Sequence, residues 1–481
     1  MNAPAAITMR RGWPWILAPL LFAAIGGFLA LSGRPIGFLL AVAAVAAYVF
    51  FALASIEKPL VLATGLLLVL EVLPPFYFNT LGETPIYASF FALPIVMAVI
   101  VMRLPDIRWE WDPLSKGLVA FLAATAASIP FAFWLSGTST GLNSLSRWLL
   151  LSHAAPVYFL IRGFASGKTD RSERGIFRLL LLGSVVSAAY GIVDFVWPIP
   201  LAHPAADQFI WLEGAVVRRA QGVFYESSNF ANFCGFFLTA ASAAFLAHRE
   251  RFLGVPRSLL IVFTSILSLA VLVAFSRSTW ASVLTALLAS FVLARFVRLP
   301  RGIAVLAAIS IPLCLLWTFS PGLWDYLVSA RLGRLFEILD DPNFATSGRF
   351  DTWIRVLGIL RDNPQYLLFG IGYKTLTVTR LFHGEIVTDN GYLSLLLETG
   401  LVGLAGFLFW TRSILRVFYR LAHSVHEVSA FWATVLFSIW CGELVQLLAA
   451  DATTYWRNIS VFTALMALTL NLAERAEKET A

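Results

Sequence analysis

Apolar residues run in blocks of roughly 20 along most of this chain, the length a helix needs to cross the hydrocarbon core of a bilayer. The blocks fall at 13–32, 35–55, 59–76, 86–102, 115–134, 145–162, 176–198, 229–247, 258–276, 279–297, 302–320, 391–411, 428–449 and 456–472. They are continuous rather than alternating, so no β-barrel reading competes. The pattern predicts an all-α polytopic membrane protein with about 12 to 14 transmembrane helices. Two polar stretches interrupt it, 199–228 and 321–390, and both hold aromatic residues at helix-like spacing. Long ordered loops in a compact protein usually carry function. The chain therefore divides into N-terminal spans (1–198), a first loop (199–228), central spans (229–320), a large, partly helical catalytic loop (321–390), and C-terminal spans with a tail (391–481). No internal repeat or low-complexity segment appears.

Composition agrees. A hydrophobic fraction of 59% with mean hydropathy +0.79 excludes a soluble enzyme. Only 13% of residues are charged, so their positions carry most of the information. The net charge of +7 does not imply nucleic acid, because basic residues flanking membrane spans give the same excess. Cys234, Cys314 and Cys441 lie in apolar runs and read as buried small residues. Arg10 and Arg11 precede a full-length apolar block without a small-residue cleavage site, so the first span reads as retained.

Lys and Arg set the orientation. With Arg10 and Arg11 in the cytoplasm and the spans alternating, the inner loops collect Lys58; Arg103, Arg108 and Lys116; Arg162 through Arg178; Arg249, Arg251 and Arg257; Arg295 through Arg301; and Arg412 through Arg420. The stretch 136–144, SGTSTGLNS, becomes an uncharged outer loop. Arg218, Arg219, Arg277, Arg349, Asp389 and Arg457 all fall on the outer face. Outer arginines run against the usual bias, so each needs a reason.

Three constellations supply candidates. Arg218-Arg219-Ala220-Gln221-Gly222 leads through Ser227-Ser228-Asn229 into an apolar helix, a turn feeding a capped N-terminus whose N–H groups suit a phosphate. Snorkelling arginines and an ordinary cap are the plainer reading of the same residues. Ser276-Arg277-Ser278 is a tight outer turn whose guanidinium needs an anion from a lipid headgroup, a carboxylate or a substrate. The third runs from Gly348-Arg349 to Asp389-Asn390-Gly391-Tyr392, with Glu398 two turns into the following span, an acid that needs a partner there. An outer arginine is one candidate partner, protonation the other. Asp389 or Asn390 also suits a plain helix cap. His383 is a lone loop histidine. Several guanidinium groups around one cavity hold a diphosphate through bidentate contacts without a metal ion, and no acidic or His-rich outer cluster suits a divalent cation.

These residues resemble the O-antigen ligase and Wzy-type polysaccharide polymerase superfamily. The likeness rests on R-A-Q-G-V-F…N at Arg219–Asn229, S-R-S at Ser276–Ser278, S-G-R…W at Ser347–Trp353, G-I-G at Gly370–Gly372 and D-N-G-Y-L…E-T-G-L-V-G at Asp389–Gly403, and covers about 215–470. It implies a GT-C type, metal-independent glycosyltransferase of the bacterial inner membrane, without a cofactor, its active site facing the periplasm. The donor would be an oligosaccharide on undecaprenyl diphosphate, and membrane lipid, a chain-length regulator and export proteins would be partners. Arg219, Arg277 and Arg349 would engage the diphosphate and Asp389 would act as base or orient the acceptor. Arg218, Asn229, Asn390, Tyr392, Glu398, His383 and Arg457 would line the substrate site. Ligases of this superfamily carry a histidine where this chain has Asp389, which favours an exopolysaccharide or O-antigen polymerase. An O-antigen ligase, a protein O-oligosaccharyltransferase and, from another class, a lipid-linked glycan transporter remain as alternatives.

Overall fold

The computed structural model describes residues 77–81, 84–87, 111–165, 170–198, 208–212, 215–293, 318, 340–346, 348–379, 381–382 and 386–480, which lie in the compact unit Leu66–Ala481. The spans expected at 13–32, 35–55 and 59–76 lie outside the described residues, as do those at 86–102 and 302–320 apart from Ile86, Tyr87 and Thr318. Cys314 is outside them too, while Cys234 is buried and Cys441 half-buried, both as free thiols.

The described chain is a helical bundle. Its helices are α1 (Pro113–Ala126), α2 (Ile129–Ser152), α3 (Ala154–Ala165), α4 (Asp170–Val196), α5 (Ser227–Ala247), α6 (Arg257–Val273), α7 (Arg277–Leu293), α8 (Arg349–Asp362), α9 (Gly391–Ala422), α10 (Glu427–Gln446) and α11 (Trp456–Thr480). Among the described residues, five stretches are long and apolar enough to cross a membrane: Gly175–Val196, α5, α9, α10 and Trp456–Lys478. The bent pair formed by α1 and the helical stretch Ile129–Gly163 adds a sixth. Two antiparallel hairpins complete the picture, Tyr77–Leu81 with Thr84–Tyr87 (β1, β2) and Phe209–Leu212 with Ala215–Arg218 (β3, β4).

Two local expectations are corrected. The supposed loop 136–144 is helical, part of α2 with a break at Gly137 (φ 86°). Residues 148–162 run back along α1: Trp148 Nε1 donates to Leu122 O at 3.0 Å, and Tyr158 OH to Asp112 Oδ2 at 2.7 Å. In the first polar loop the described residues 209–212 and 215–218 pair as β3 and β4 rather than forming a helix, the β-branched run AVV facing FIWL.

α5 is the centre. It is apolar around its whole circumference, and a helix with no polar face is stable only when neighbours cover every side; α6, α7, α10, α4 and α11 do so. Among its few polar residues, Asn232 is held by Glu443 and by Gln446 Oε1 (2.9 Å) of α10 and by Asn458 Nδ2 (2.6 Å) of α11. A polar group in hydrocarbon has no water to fall back on, so this ladder also fixes the register of the three helices.

α9 is broken at Gly400 (φ 67°), and the G-I-G motif explains how the break is tolerated. Ile371 N–H donates to Leu397 O (3.2 Å) and Gly372 N–H to Glu398 O (2.9 Å), taking carbonyls the helix has released. In return, Leu401 and Val402 N–H groups reach Leu367 O (2.7 Å) and Leu368 O (3.2 Å). Gly370 (φ 71°) allows the approach, because a Cβ there would meet the backbone of Glu398. Above this seam Val356 and Leu360 of α8 pack with Ile371, Leu376, Ile386 and Leu397. Each such burial stabilises by roughly 1.5–3 kcal/mol, which anchors the described stretch from α8 to Leu376, and Ile386, on the body.

Candidate functional site

Alternation along the bundle brings the N-termini of α5, α7, α9 and α11 to one end. The hydrogen bonds join them there. Ala220 N–H donates to Val273 O at the C-terminus of α6 (3.0 Å), Arg457 Nη1 at the start of α11 donates to Val223 O (3.1 Å), and Gly391 N–H at the start of α9 donates to Leu447 O just past α10 (2.7 Å). The C-termini of α4, α6 and α10 share this end, so the helix dipoles largely offset one another and an anion there would rely on side chains and local N–H groups. The other end carries a different set: Arg249 and Arg251 pair with Glu427, and Arg162 with Asp112 and Glu474.

The expected arginines fall into distinct roles. Arg219 Nε donates to Ala274 O (2.9 Å) and its Nη2 to Ser228 Oγ (3.3 Å). Ser276 Oγ reaches the same Ser228 hydroxyl at 3.3 Å, so half-buried Arg277, first residue of α7, stands beside Arg219 at the mouths of α5 and α7. Arg349 opens α8 and its Nε donates to Asp389 Oδ2 at 2.8 Å, with both side chains partly exposed. Arg218 is directed elsewhere: it is tied to the carbonyl and to the Oδ2 (3.1 Å) of Asp194, a buried acid of α4, and serves the fold. Arg457 is buried, resting on Phe224 and Trp456. Its bond to Val223 O ties it to the 219–226 loop.

The cap is assigned by the structure. Asn390, not Asp389, caps α9: its Oδ1 accepts from Tyr392 and Leu393 N–H, both at 3.1 Å, and its Nδ2 donates to Leu448 O (3.1 Å). Tyr392 OH donates to Leu444 O (2.9 Å), so both residues latch α9 to the end of α10. Asp389 takes a left-handed conformation (φ 43°) that turns it out of the helix path and toward Arg349. At α5 the serine cap is a correction. Glu226 is the N-cap without a side-chain cap bond, and Ser227 N–H is taken by Gln208 Oε1 (3.0 Å) from the β3 hairpin. Buried Asn229 lends its carbonyl to Asn458 Nδ2 (3.1 Å).

Glu398 finds a lysine instead of an arginine. It is buried, accepting from Leu376 N–H (3.0 Å) and Ser394 Oγ (3.1 Å), with Lys374 Nζ at 3.7 Å. Lys374 also pairs with Asp451 in the α10–α11 turn, which takes Ser394 Oγ (2.7 Å) and Thr453 Oγ1 (2.6 Å). Burial alone would lift the Asp451 carboxyl. Attraction to Lys374 and its hydrogen bonds outweigh that and hold it below the usual range. This network is a joint between the large loop, α9 and α10–α11. His383 lies outside the described residues.

Sequence reasoning passed over Lys374, Asp451, Glu226 and Arg147. Arg147 had a usable signal, being another arginine at the outer mouth of a span. Glu226 is half-buried between the two arginine groups. Burial, then the Asp389 carboxylate, raise its pKa, with Arg147 and Arg219 pulling the other way and Asp451 adding to the rise. Glu226 thus joins the Arg219 cluster electrostatically to the Arg349–Asp389 pair.

The chain matches no curated protein at a significant level. Residues 260–408 match the family model described as O-antigen ligase, a stretch holding Arg277, Arg349, Asp389, Asn390, Tyr392 and Glu398. Over that stretch this multi-pass membrane protein is similar to O-antigen ligase, in keeping with the O-antigen ligase and Wzy superfamily its motifs resemble.

Proposed function

We propose that the arginine-bearing end transfers a glycan from undecaprenyl diphosphate to an acceptor sugar hydroxyl on the outer face of the bacterial inner membrane, as a polymerase of O-antigen or exopolysaccharide repeats. The acceptor oxygen attacks the anomeric carbon, the bond from that carbon to the phosphate oxygen breaks, and its electron pair departs on the lipid diphosphate. Charge grows on that leaving group, and preorganised guanidinium groups stabilise it most where water is scarce. Arg219 and Arg277, at the adjoining mouths of α5 and α7, supply such charge without a metal ion, and Arg349 joins them from the large loop. Asp389, paired with Arg349, holds that guanidinium and orients the acceptor. Its place where superfamily ligases carry histidine favours a polymerase.

The observation that carries this reading is the gathering of Arg219, Arg277, Arg349 and Asp389 at the bundle end where four helix N-termini meet. The test is ladder formation from a lipid-linked repeat unit by purified protein. Arg219→Ala, Arg277→Ala and Arg349→Ala should each lower turnover by about 10²–10³. Lysine should restore part of it, since it keeps the charge but loses the bidentate fork. Normal ladders from all three alanine variants would refute the diphosphate site, and loss of wild-type activity with a chelator would refute metal independence.

A further inference from the structure

We propose that Glu226 is the proton acceptor for the attacking acceptor hydroxyl, an inference that rests on the transferase reading above. The fold makes no use of this carboxylate. Glu226 sits at the N-cap of α5, yet its side chain makes no cap bond. Among the described residues none hydrogen-bonds or ion-pairs with its carboxylate. An acid placed in a half-buried position without a structural partner costs stability, so the site has another use for it. Its surroundings are the reaction centre proposed above: Arg219 from the loop before α5, Arg147 from α2, Asp389 before α9, and Asp451 and Tyr455 from the α10–α11 turn.

Among the described residues, the two carboxylates that neighbour Glu226 are engaged. Asp389 accepts from Arg349 Nε, and Asp451 is bound by Lys374, Ser394 and Thr453. Of the three, only Glu226 has both oxygens available to an incoming hydroxyl. Burial and its acidic neighbours raise its pKa, which improves a base that must take a proton and give it up each cycle. As the acceptor oxygen bonds to the anomeric carbon, its proton passes to Glu226 and the carbon–phosphate oxygen bond breaks. The resulting carboxylic acid then returns its proton to water.

Azide separates proton removal from donor activation, because it attacks carbon without a proton to lose. Purified Glu226→Gln is given an undecaprenyl-diphosphate-linked repeat unit with and without sodium azide, beside wild type, Arg219→Ala and Asp389→Asn. We expect Glu226→Gln to lose about 10²–10⁴ in ladder formation while releasing glycosyl azide at a rate near wild type. Arg219→Ala, acting on the leaving group, should lose both, and so should Asp389→Asn, which leaves the Arg349 guanidinium unheld. Normal ladders from Glu226→Gln would overturn the assignment and leave the transferase reading standing. Loss of ladders and of glycosyl azide together, in a variant that elutes and melts like wild type, would overturn it as well, placing Glu226 in donor binding. If wild type forms neither product while remaining folded, the transferase reading itself fails.

Discussion

Replacing Asp389 with Asn separates a cap from a functional carboxylate, because the structure gives the two jobs to neighbouring residues. Asn keeps the size of the side chain and is among the residues that tolerate the left-handed φ of 43° found there. The backbone turn before α9 should therefore survive. What is lost is the negative charge facing Arg349 Nε at 2.8 Å. Both partners are about a third exposed, and a pair so wet contributes only about 0.2–1 kcal/mol to folding. Asn390→Ala is the contrasting change. It removes the acceptor for Tyr392 and Leu393 N–H and the bond to Leu448 O, at a cost of about 0.5–2 kcal/mol for the cap alone. Thermal unfolding in detergent should thus show Asp389→Asn close to wild type and Asn390→Ala below it. Ladder assays should invert that order, with Asp389→Asn slower by about 10²-fold, the effect of a misplaced charge stabiliser. Full ladders from Asp389→Asn, or a melting loss equal to that of Asn390→Ala, would refute the division of roles.

Cysteines at exposed positions on the two bundle ends test the orientation: Val387→Cys should react with a membrane-impermeant thiol reagent from outside, and Val425→Cys only in inverted vesicles. The reverse pattern would turn the site toward the cytoplasm. Lys374→Met leaves Glu398 and Asp451 without their shared cation and should cost about 3–5 kcal/mol, seen as early thermal unfolding that a second change, Glu398→Gln, partly reverses. Glu226 must be ionised to accept a proton, and its pKa is raised. Polymerisation should therefore decline as pH falls through a value above the ordinary carboxylate range of about 4.3. Glu226→Gln should abolish that limb, and a limb that persists in the variant would have another origin.

Much of this was legible in the chain. Twenty-residue apolar blocks have no stable place but a bilayer or a buried bundle, so α4, α5, α6, α7, α9, α10 and α11 fall where hydropathy predicts them. Charge asymmetry told which loops share an end, and the shared end of Arg219, Arg277, Arg349 and Asp389 follows from parity alone. What it did not settle were choices between neighbours that sequence treats as equals. Asp389 and Asn390 are both good caps, and only the turn at φ 43° sends one to Arg349 and the other to the helix. Arg218 and Arg219 are adjacent, but β-strand alternation at the end of β4 points the first to Asp194 and leaves the second at the mouth of α5. Glu398 required a cation, and the sequence offered arginines. Lys374 reaches it because the G-I-G loop is stitched to the break in α9, a contact between segments more than twenty residues apart. Hydropathy and local propensity are properties of a segment and survive being read one segment at a time. The partner of a charge depends on which segments meet, and that is decided only when the helices pack.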